Sequence, residues 1–182
     1  MAMPITVPRY TLADLDRFPS DGNRYELLGG VLLVSPSPAL PHQVVTARLV
    51  MLLGDLLRPW PDLMVATPGA LVRPPDTRLE PDILVFRAPT PATRWETVTE
   101  HLLAVEVASP STAIYDRDFK RPAYLDLGVA EVWRVDLGSR AILVSRPGQP
   151  PDVAHLVNVV WTPPGIDGSL PIAIPPLFDR LG

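Results

Sequence analysis

The chain has 182 residues, enough for one domain, and its 47% hydrophobic and 20% charged residues are ordinary for a protein with a buried core. It has no cysteine, which excludes disulfides and thiolate metal sites. The formal net charge of -4 argues weakly against a large non-specific nucleic-acid surface, although a local basic groove around an acidic metal site remains compatible with it.

The N-terminal ten residues lack the apolar core of a signal peptide. No uncharged apolar run reaches the length of a membrane span. We therefore expect a cytoplasmic protein that does not contact a membrane.

The first 73 residues predict a short helix, a β-hairpin, a longer helix and two short strands. Thr11 is a helix-capping residue, and Gly29-Gly30 between two apolar runs is a strong signal for a tight hairpin. Apolar residues from Val45 to Leu56 recur at helical spacing. The predicted bounds are helix 11–18, strands 24–28 and 31–35, helix 42–57, and strands 63–66 and 70–73.

The central part predicts two strands buried on both faces, followed by a helix. Residues 81–86 and 102–108 are near-continuous apolar runs, the pattern of central strands, with a Pro- and Thr-rich surface connection between them. Ser109 to Thr112 offers caps for a helix that reaches about Leu127, with Gly128 at its end. Pro122 must kink this helix or restart it in a new first turn.

The C-terminal part predicts a second hairpin, at 131–135 and 141–145, and a strand at 154–160. The element order β-β-α-β-β-β-α-β-β favours an α/β fold with a mixed β-sheet flanked by helices. We expect one domain over residues 1–182, with a core of about 10–146 and a Pro-rich C-terminal extension at 147–182.

Two acidic residues interrupt the central apolar strands, Asp82 and Glu106. A buried carboxylate is costly unless a cation or a hydrogen-bond network accompanies it. Two of them on neighbouring strands would make an oxygen-rich pocket suited to Mg²⁺ or Mn²⁺. For either residue alone, a helix-capping or surface role is the simpler explanation of the sequence.

Lys120 is the chain's only lysine beside fifteen arginines. Arginine cannot replace lysine where a compact, tunable ammonium is required, so its retention suggests a function, while chance retention is the alternative. On a helix, Asp116 and Lys120 would share a face with Tyr124 one turn later. An ordinary solvated ion pair is the alternative explanation of that spacing.

Five motifs in order carry a resemblance to a known family. They are Tyr25-Glu-Leu-Leu-Gly-Gly, Glu80-Pro-Asp-Ile-Leu-Val, Val105-Glu-Val-Ala-Ser-Pro-Ser-Thr, Asp116-x-x-x-Lys-x-x-x-Tyr and Gly128-Val-Ala-Glu-Val-Trp-Arg-Val-Asp. Together they resemble the Uma family of restriction-endonuclease-like proteins, catalogued as a domain of unknown function within the PD-(D/E)xK nuclease superfamily. The resemblance covers about residues 10–180.

The resemblance implies a restriction-endonuclease-like fold and names the catalytic residues. Asp82 would be the first acid, Glu106 the second and Glu26 an early acid that completes the metal site. The superfamily pattern places lysine two residues after the second acid, but this chain has Ala108 there, which makes Lys120 on the following helix the counterpart.

The resemblance also implies a cofactor, a substrate and a reaction. Mg²⁺ or Mn²⁺ would be held by Asp82, Glu106, the backbone carbonyl of Val107 and Glu26, and Lys120 would orient or deprotonate the attacking water. The substrate would be nucleic acid, DNA rather than RNA, cut to a 5′-phosphate and a 3′-hydroxyl. Since restriction enzymes of this fold often act in pairs, a homodimer is expected by analogy alone.

We expect five further residues to support the metal or to contact the substrate: His42, Asp116, Arg117, Arg121 and Tyr124. The alternatives are a helix cap for His42, a solvated face for the two arginines and a core position for Tyr124. At the level of function, one alternative is an inactive nuclease-fold module that binds nucleic acid or a protein. Another is a structural protein whose buried acids pair with arginines.

Overall fold

The computed structural model describes residues 8–88, 94–108 and 116–181. Its helices are α1 (Leu12–Leu15), α2 (Leu40–Leu57) and α3 (Arg121–Asp126), with a π-helical turn at Asp116–Lys120 and 3₁₀ turns at Trp95–Thr97 and Pro175–Phe178. Its strands are β1 (Arg24–Leu28), β2 (Val31–Ser35), β3 (Leu63–Ala66), β4 (Leu71–Arg73), β5 (Thr77–Leu79), β6 (Ile83–Arg87), β7 (Glu100–Ala108), β8 (Val132–Asp136), β9 (Ala141–Ser145), β10 (Val153–His155), β11 (Asn158–Trp161) and β12 (Leu170–Ala173).

The main sheet is mixed and has six strands in the order β10-β9-β8-β7-β6-β3. Strands β7 and β8 run parallel and the other neighbours run antiparallel. Side chains alternate between the two faces of a strand, so Ile83 and Val85 enter one core while Leu84 and Phe86 enter another. The prediction of a mixed α/β sheet with central strands buried on both faces is confirmed.

Helix α2 covers the first face of this sheet. Its residues Val45, Leu49, Leu53 and Leu57 are buried at helical spacing against the sheet. By length and composition alone α2 would also pass as a membrane span, since it has 18 residues and a mean hydropathy of 1.2. Its buried stripe against the sheet is the pattern of a helix that covers a protein core.

The second face of the main sheet is covered by a four-stranded sheet, in the order β2-β1-β5-β4, together with α3. This core includes Leu71, Leu79 and Tyr124. Gly69 lies so close to the main sheet that a Cβ there would be 2.2 Å from the Cβ of Leu84. Only glycine allows this approach, which brings β4 against the strand that follows Asp82.

The C-terminal segment, predicted as an extension, contributes to the first core. Strands β11 and β12 form an antiparallel pair, and Trp161, Ile172 and Phe178 are buried with the residues of α2 and the main sheet. The ring of Trp161 meets that of Trp133 edge to face, with 6.0 Å between centroids.

Several predicted bounds need correction. Helix α1 ends at Leu15 and not at Phe18, and strand β5 was not predicted. The predicted strand 154–160 is two strands, β10 and β11. Of the predicted helix 109–127, residues 109–115 lie outside the described part. The remainder is a π-helical turn followed by α3. Pro122 lies in the first turn of α3, where proline is tolerated, so the helix restarts there as one of the two predicted outcomes.

Candidate active site

Lys120 lies buried between two carboxylates in the cleft between the two sheets. Its Nζ is 2.6 Å from Oε2 of Glu26 and 3.3 Å from Oε1 of Glu106. Lys120 is 3% exposed and Glu26 is fully buried, so the ammonium sits in a region of low dielectric constant where a charge must be compensated.

Three different elements deliver these side chains. Glu26 comes from β1, Glu106 from β7 and Lys120 from the end of the π-helical turn. Glu26 also accepts a hydrogen bond at Oε1 from the backbone N–H of Glu80, 2.7 Å away. The carboxylate of Glu26 is therefore fixed on one side by the chain just before β6 and on the other by Lys120.

Asp82 lies next to Glu106 across the main sheet. Ile83 pairs with Val105, and the same antiparallel register places Asp82 beside Glu106, on the face turned towards the second sheet. Its Oδ1 accepts from Arg24 at 3.0 Å, and its Oδ2 lies 2.9 Å from His42 Nε2 and 2.8 Å from the backbone N of Val107.

The pKa of the Asp82 carboxyl is held below its usual value. Burial raises this pKa, but the hydrogen bond and charge of His42, the charge of Arg24 and the N–H of Val107 together outweigh it. For Arg24, burial lowers the pKa of the guanidinium, but the nearby carboxylates, Asp82 first, raise this pKa by more than burial lowers it. The carboxylate and the guanidinium are thus both held in their charged forms.

Tyr124 supports Glu106 from the buried side. Its hydroxyl donates to Oε1 of Glu106 at 2.5 Å, and its ring is completely buried. Burial, followed by the negative charge of Glu106 and Glu26, raises the pKa of Tyr124 well above its ordinary value. The phenol therefore remains protonated and acts as a hydrogen-bond donor that orients the carboxylate.

Among the described side chains of this cleft, carboxylates outnumber permanent cations. Glu26, Asp82 and Glu106 face Lys120 and Arg24, with His42 as a further partner of Asp82. This donor set suits a hard divalent cation, because Mg²⁺ is commonly held by one or two carboxylates with waters completing its shell. Within residues 8–88, 94–108 and 116–181, however, no three His, Asp or Glu side chains are grouped closely enough to hold a metal alone. The residues fit an ion held by Asp82 and Glu106, but not an all-protein cage.

The chain is similar to known proteins over most of its length. The model of the Uma2 family, described as "Putative restriction endonuclease", matches residues 12–173. The chain belongs to the Uma2 family. A solved structure from Anabaena variabilis ATCC 29413, titled a putative nuclease belonging to DUF820, is similar to this Uma2 chain at 18% sequence identity and a TM-score of 0.66. The similarity covers 93% of this chain and 97% of that one, and at this identity it shows a shared fold. Comparison with curated proteins finds no match.

The structure of this Uma2 protein brings together four residues that the sequence singled out. Glu26, Asp82, Glu106 and Lys120 meet in one cleft, a result consistent with their predicted roles but not a test of them. Val107 reaches Asp82 through its backbone N–H, whereas its carbonyl was the predicted ligand.

The five supporting candidates divide into three groups. His42 and Tyr124 contact the acids directly. Arg117 and Arg121 instead form ion pairs with Asp118 and Asp152, respectively. The side chain of Asp116 lies outside the described part, so its predicted pairing with Lys120 stays a prediction.

Arg24 was missed at the sequence level. It bonds Asp82 and also the backbone carbonyl of Glu80, 2.9 Å away. Its spacing from Glu26 could have identified it, because residues two apart on a strand share a face and Arg24 is two residues before Glu26. As one of fifteen arginines it did not stand out.

Proposed function

We propose that this Uma2 protein is a metal-dependent endonuclease that hydrolyses phosphodiester bonds, with DNA as substrate rather than RNA. The observation that supports this most directly is the burial of the only lysine between Glu26 and Glu106, with Asp82 beside Glu106. Membership of the Uma2 family and the nuclease-like fold support hydrolysis of nucleic acid in general.

Asp82 and Glu106 would hold the divalent ion, and Glu26 would hold Lys120 or a water beside it. When bound, the ion supplies Lewis-acid polarisation of a phosphate oxygen and lowers the pKa of water. The residues around the acids fix their orientation. His42, Arg24 and the N–H of Val107 hold Asp82, while the Tyr124 hydroxyl holds Glu106.

Lys120 is the group proposed to act on the attacking water. Its ammonium is buried and held by two carboxylates, so its position is fixed before the substrate arrives. There it would orient the water and offset the negative charge that develops on the phosphate. In-line attack would leave a 5′-phosphate and a 3′-hydroxyl.

The first experiment is cleavage of labelled single-stranded DNA, duplex DNA and RNA with Mg²⁺, with Mn²⁺ and with EDTA. We expect metal-dependent cutting by the wild type and its loss in Lys120→Ala. Arg58→Ala is the matched control, because Arg58 is an exposed cation at the end of α2. Cutting by Lys120→Ala at the wild-type rate would disprove the assignment of Lys120.

The second experiment measures the melting temperature with and without Mn²⁺. A ligand that binds only the folded state adds about 2.7 kcal/mol of stability at a hundred times its Kd. We expect stabilisation of the wild type and a much weaker effect in Asp82→Asn. Stabilisation without any cleavage would instead indicate a nuclease-fold module that binds nucleic acid without cutting it.

A further inference from the structure

Arg24 takes part in the lining of two cavities. Both are lined by Arg24 and Pro38, with volumes of about 500 and 460 Å³. These volumes are within the range of small-molecule sites, roughly 300–1,000 Å³. Since Arg24 also bonds Asp82, the cavities meet beside the candidate active site.

The smaller cavity, here the α2 cavity, has a mostly apolar lining. It is lined by Ala47, Val50 and Met51 of α2, by Pro68 and by Asp82. Ala47 and Met51 are exposed, so this wall is open to solvent. Such a surface suits the flat, uncharged face of a nucleobase more than it suits a phosphate.

The larger cavity, here the hairpin cavity, combines aromatic and polar groups. Phe18 and Tyr25 line it as a stacked pair, with ring centroids 5.0 Å apart and planes at 22°. Ser20, Asn23 and Arg78 also line it. Aromatic faces beside hydrogen-bonding groups are the usual means by which proteins hold an unpaired base.

Arg24 is the cation at the junction. Its side chain is 25% exposed, and the two hydrogen bonds that it gives to described residues, Glu80 and Asp82, both start from Nη1. A guanidinium has five N–H donors, so donors remain for a phosphate oxygen. A phosphate at Arg24 would lie next to Asp82.

We propose that the two cavities receive the nucleosides on either side of the phosphate bound at Arg24, and that the substrate is therefore single-stranded DNA or an unpaired segment of DNA. This inference rests on the proposed function and specifies its substrate. In a duplex the bases are stacked and paired, and each would have to leave the stack, at a cost of a few kcal/mol, to enter a cavity. The chain's 20 acidic residues outnumber its 16 lysines and arginines, and this net charge of -4 also argues weakly against the many phosphate contacts of a duplex-binding protein.

The test is binding by the whole 182-residue chain in EDTA, so that its outcome does not depend on cleavage. Fluorescence anisotropy would compare a labelled DNA strand of about 20 nucleotides, a hairpin duplex of the same sequence and the corresponding RNA strand. We expect the DNA strand to bind at least about tenfold more tightly than the duplex, which corresponds to ~1.4 kcal/mol.

Ala47→Trp fills the α2 cavity from an exposed position, and Gly54→Trp is the matched control on the same helix. A Cβ at Gly54 meets no other atom within 4 Å, and Gly54 does not line the cavity. Loss of one base contact should weaken binding of the single strand at least about fivefold in Ala47→Trp, with no change in Gly54→Trp. Phe18→Leu, which removes a ring from the hairpin cavity, should weaken it similarly. Circular dichroism and melting temperature check that each variant is folded.

Equal or tighter binding of the duplex would overturn the inference, as would equal affinities of Ala47→Trp and Gly54→Trp for the single strand. Tighter binding of the RNA strand would overturn the assignment to DNA. If the protein binds single strands as expected but never cuts with metal, the proposed hydrolysis fails and only the binding of single-stranded DNA in the two cavities stands. If it cuts but binds both DNA forms equally, the inference alone fails.

Discussion

The candidate site contrasts with another group of partly buried charges, which lies on and around β8, at the ends of β9 and β10 and at the start of α3. We call this group the C-terminal charge cluster: Glu131, Arg134, Arg146, Asp152 and Arg121. Glu131 is 4% exposed and accepts from Arg146 at 2.7 and 3.2 Å and from the indole N–H of Trp133 at 2.5 Å. Arg134 and Arg121 both pair with Asp152.

The two groups differ in the identity and number of their cations. In the C-terminal charge cluster, three arginines pair with two carboxylates, and Arg146 binds both oxygens of Glu131 in the geometry that a guanidinium favours. In the candidate site, three carboxylates meet Lys120 and Arg24. Burial of charge is therefore not by itself a sign of function. An excess of carboxylate with a compact ammonium is the feature that distinguishes the site.

We expect the largest difference between the two groups, in cleavage rate, when lysine is exchanged for arginine in one and arginine for lysine in the other. Lys120→Arg should lower the cleavage rate at least about 100-fold, the usual effect of losing one preorganised donor, because the larger guanidinium does not fit between Glu26 and Glu106. Arg146→Lys should leave the rate of the folded protein unchanged. Single-turnover cleavage measures both. If the two variants lose activity equally, the distinction between the groups does not hold.

Removing Glu131, one of the two acids of the C-terminal charge cluster, should affect stability and not activity. Glu131→Ala leaves Arg146 and the Trp133 indole without their acceptor. We expect a loss of about 2–3 kcal/mol in free energy of unfolding, below the 3–5 kcal/mol of a fully buried pair because Arg146 is one-third exposed. Urea denaturation measures this change. Loss of the Mn²⁺ response in this variant would show that the two groups are coupled.

A smaller effect is expected from Tyr124→Phe, which removes only the hydroxyl that donates to Glu106. The ring can remain in place, so we expect a loss of about 1 kcal/mol in the free energy of unfolding, from the missing hydrogen bond. Cleavage should slow while the variant remains folded, because Glu106 loses the donor that orients it. A variant with unchanged cleavage would show that the hydroxyl has only a structural role.

The smallest effect concerns His101 on β7, outside both groups. Its side chain is largely buried, its Nε2 has no hydrogen-bond partner among the described residues, and burial lowers its pKa. Between this lowered pKa and the unfolded value of about 6.5, the unfolded chain binds more protons than the folded protein. This contribution to stability is therefore present above about pH 6.5 and is lost as the pH falls towards the folded pKa. His101→Gln should flatten that part of the curve of melting temperature against pH, and an unchanged curve would contradict this.

The sequence predicted the fold best where particular residues restrict the local backbone conformation. The bounds of β1 and β2 agree with the structure because Gly29 and Gly30, at φ 54 and 79°, form the turn between them. Strand β5 was missed because its three residues are too few to show a periodic pattern. The π-helical turn could not be predicted either, since no residue pattern distinguishes it from an α-helix.

For the candidate site, the sequence predicted which residues would lie there better than it predicted the contacts between them. Asp82 and Glu106 stood out as charges within apolar runs of the sequence, and Lys120 stood out as the only lysine. Their partners come from distant parts of the chain: Arg24 is 58 residues from Asp82 and His42 is 40 residues from it. Such pairings depend on how the two sheets pack, which no local pattern encodes.

The π-helical turn at Asp116–Lys120 has a consequence for how this segment can evolve. A π-helical turn contains one residue more than an α-helical turn, and each residue added to or removed from a helix rotates the later residues by about 100°. We expect the deletion of Asp118 or Phe119 to shift the ammonium of Lys120 relative to Glu26 and Glu106, although every candidate site residue stays in the sequence. If Lys120 acts as proposed, we expect the length of this turn to matter as much as the identity of the lysine that ends it, and insertions or deletions there to be tolerated less well than substitutions.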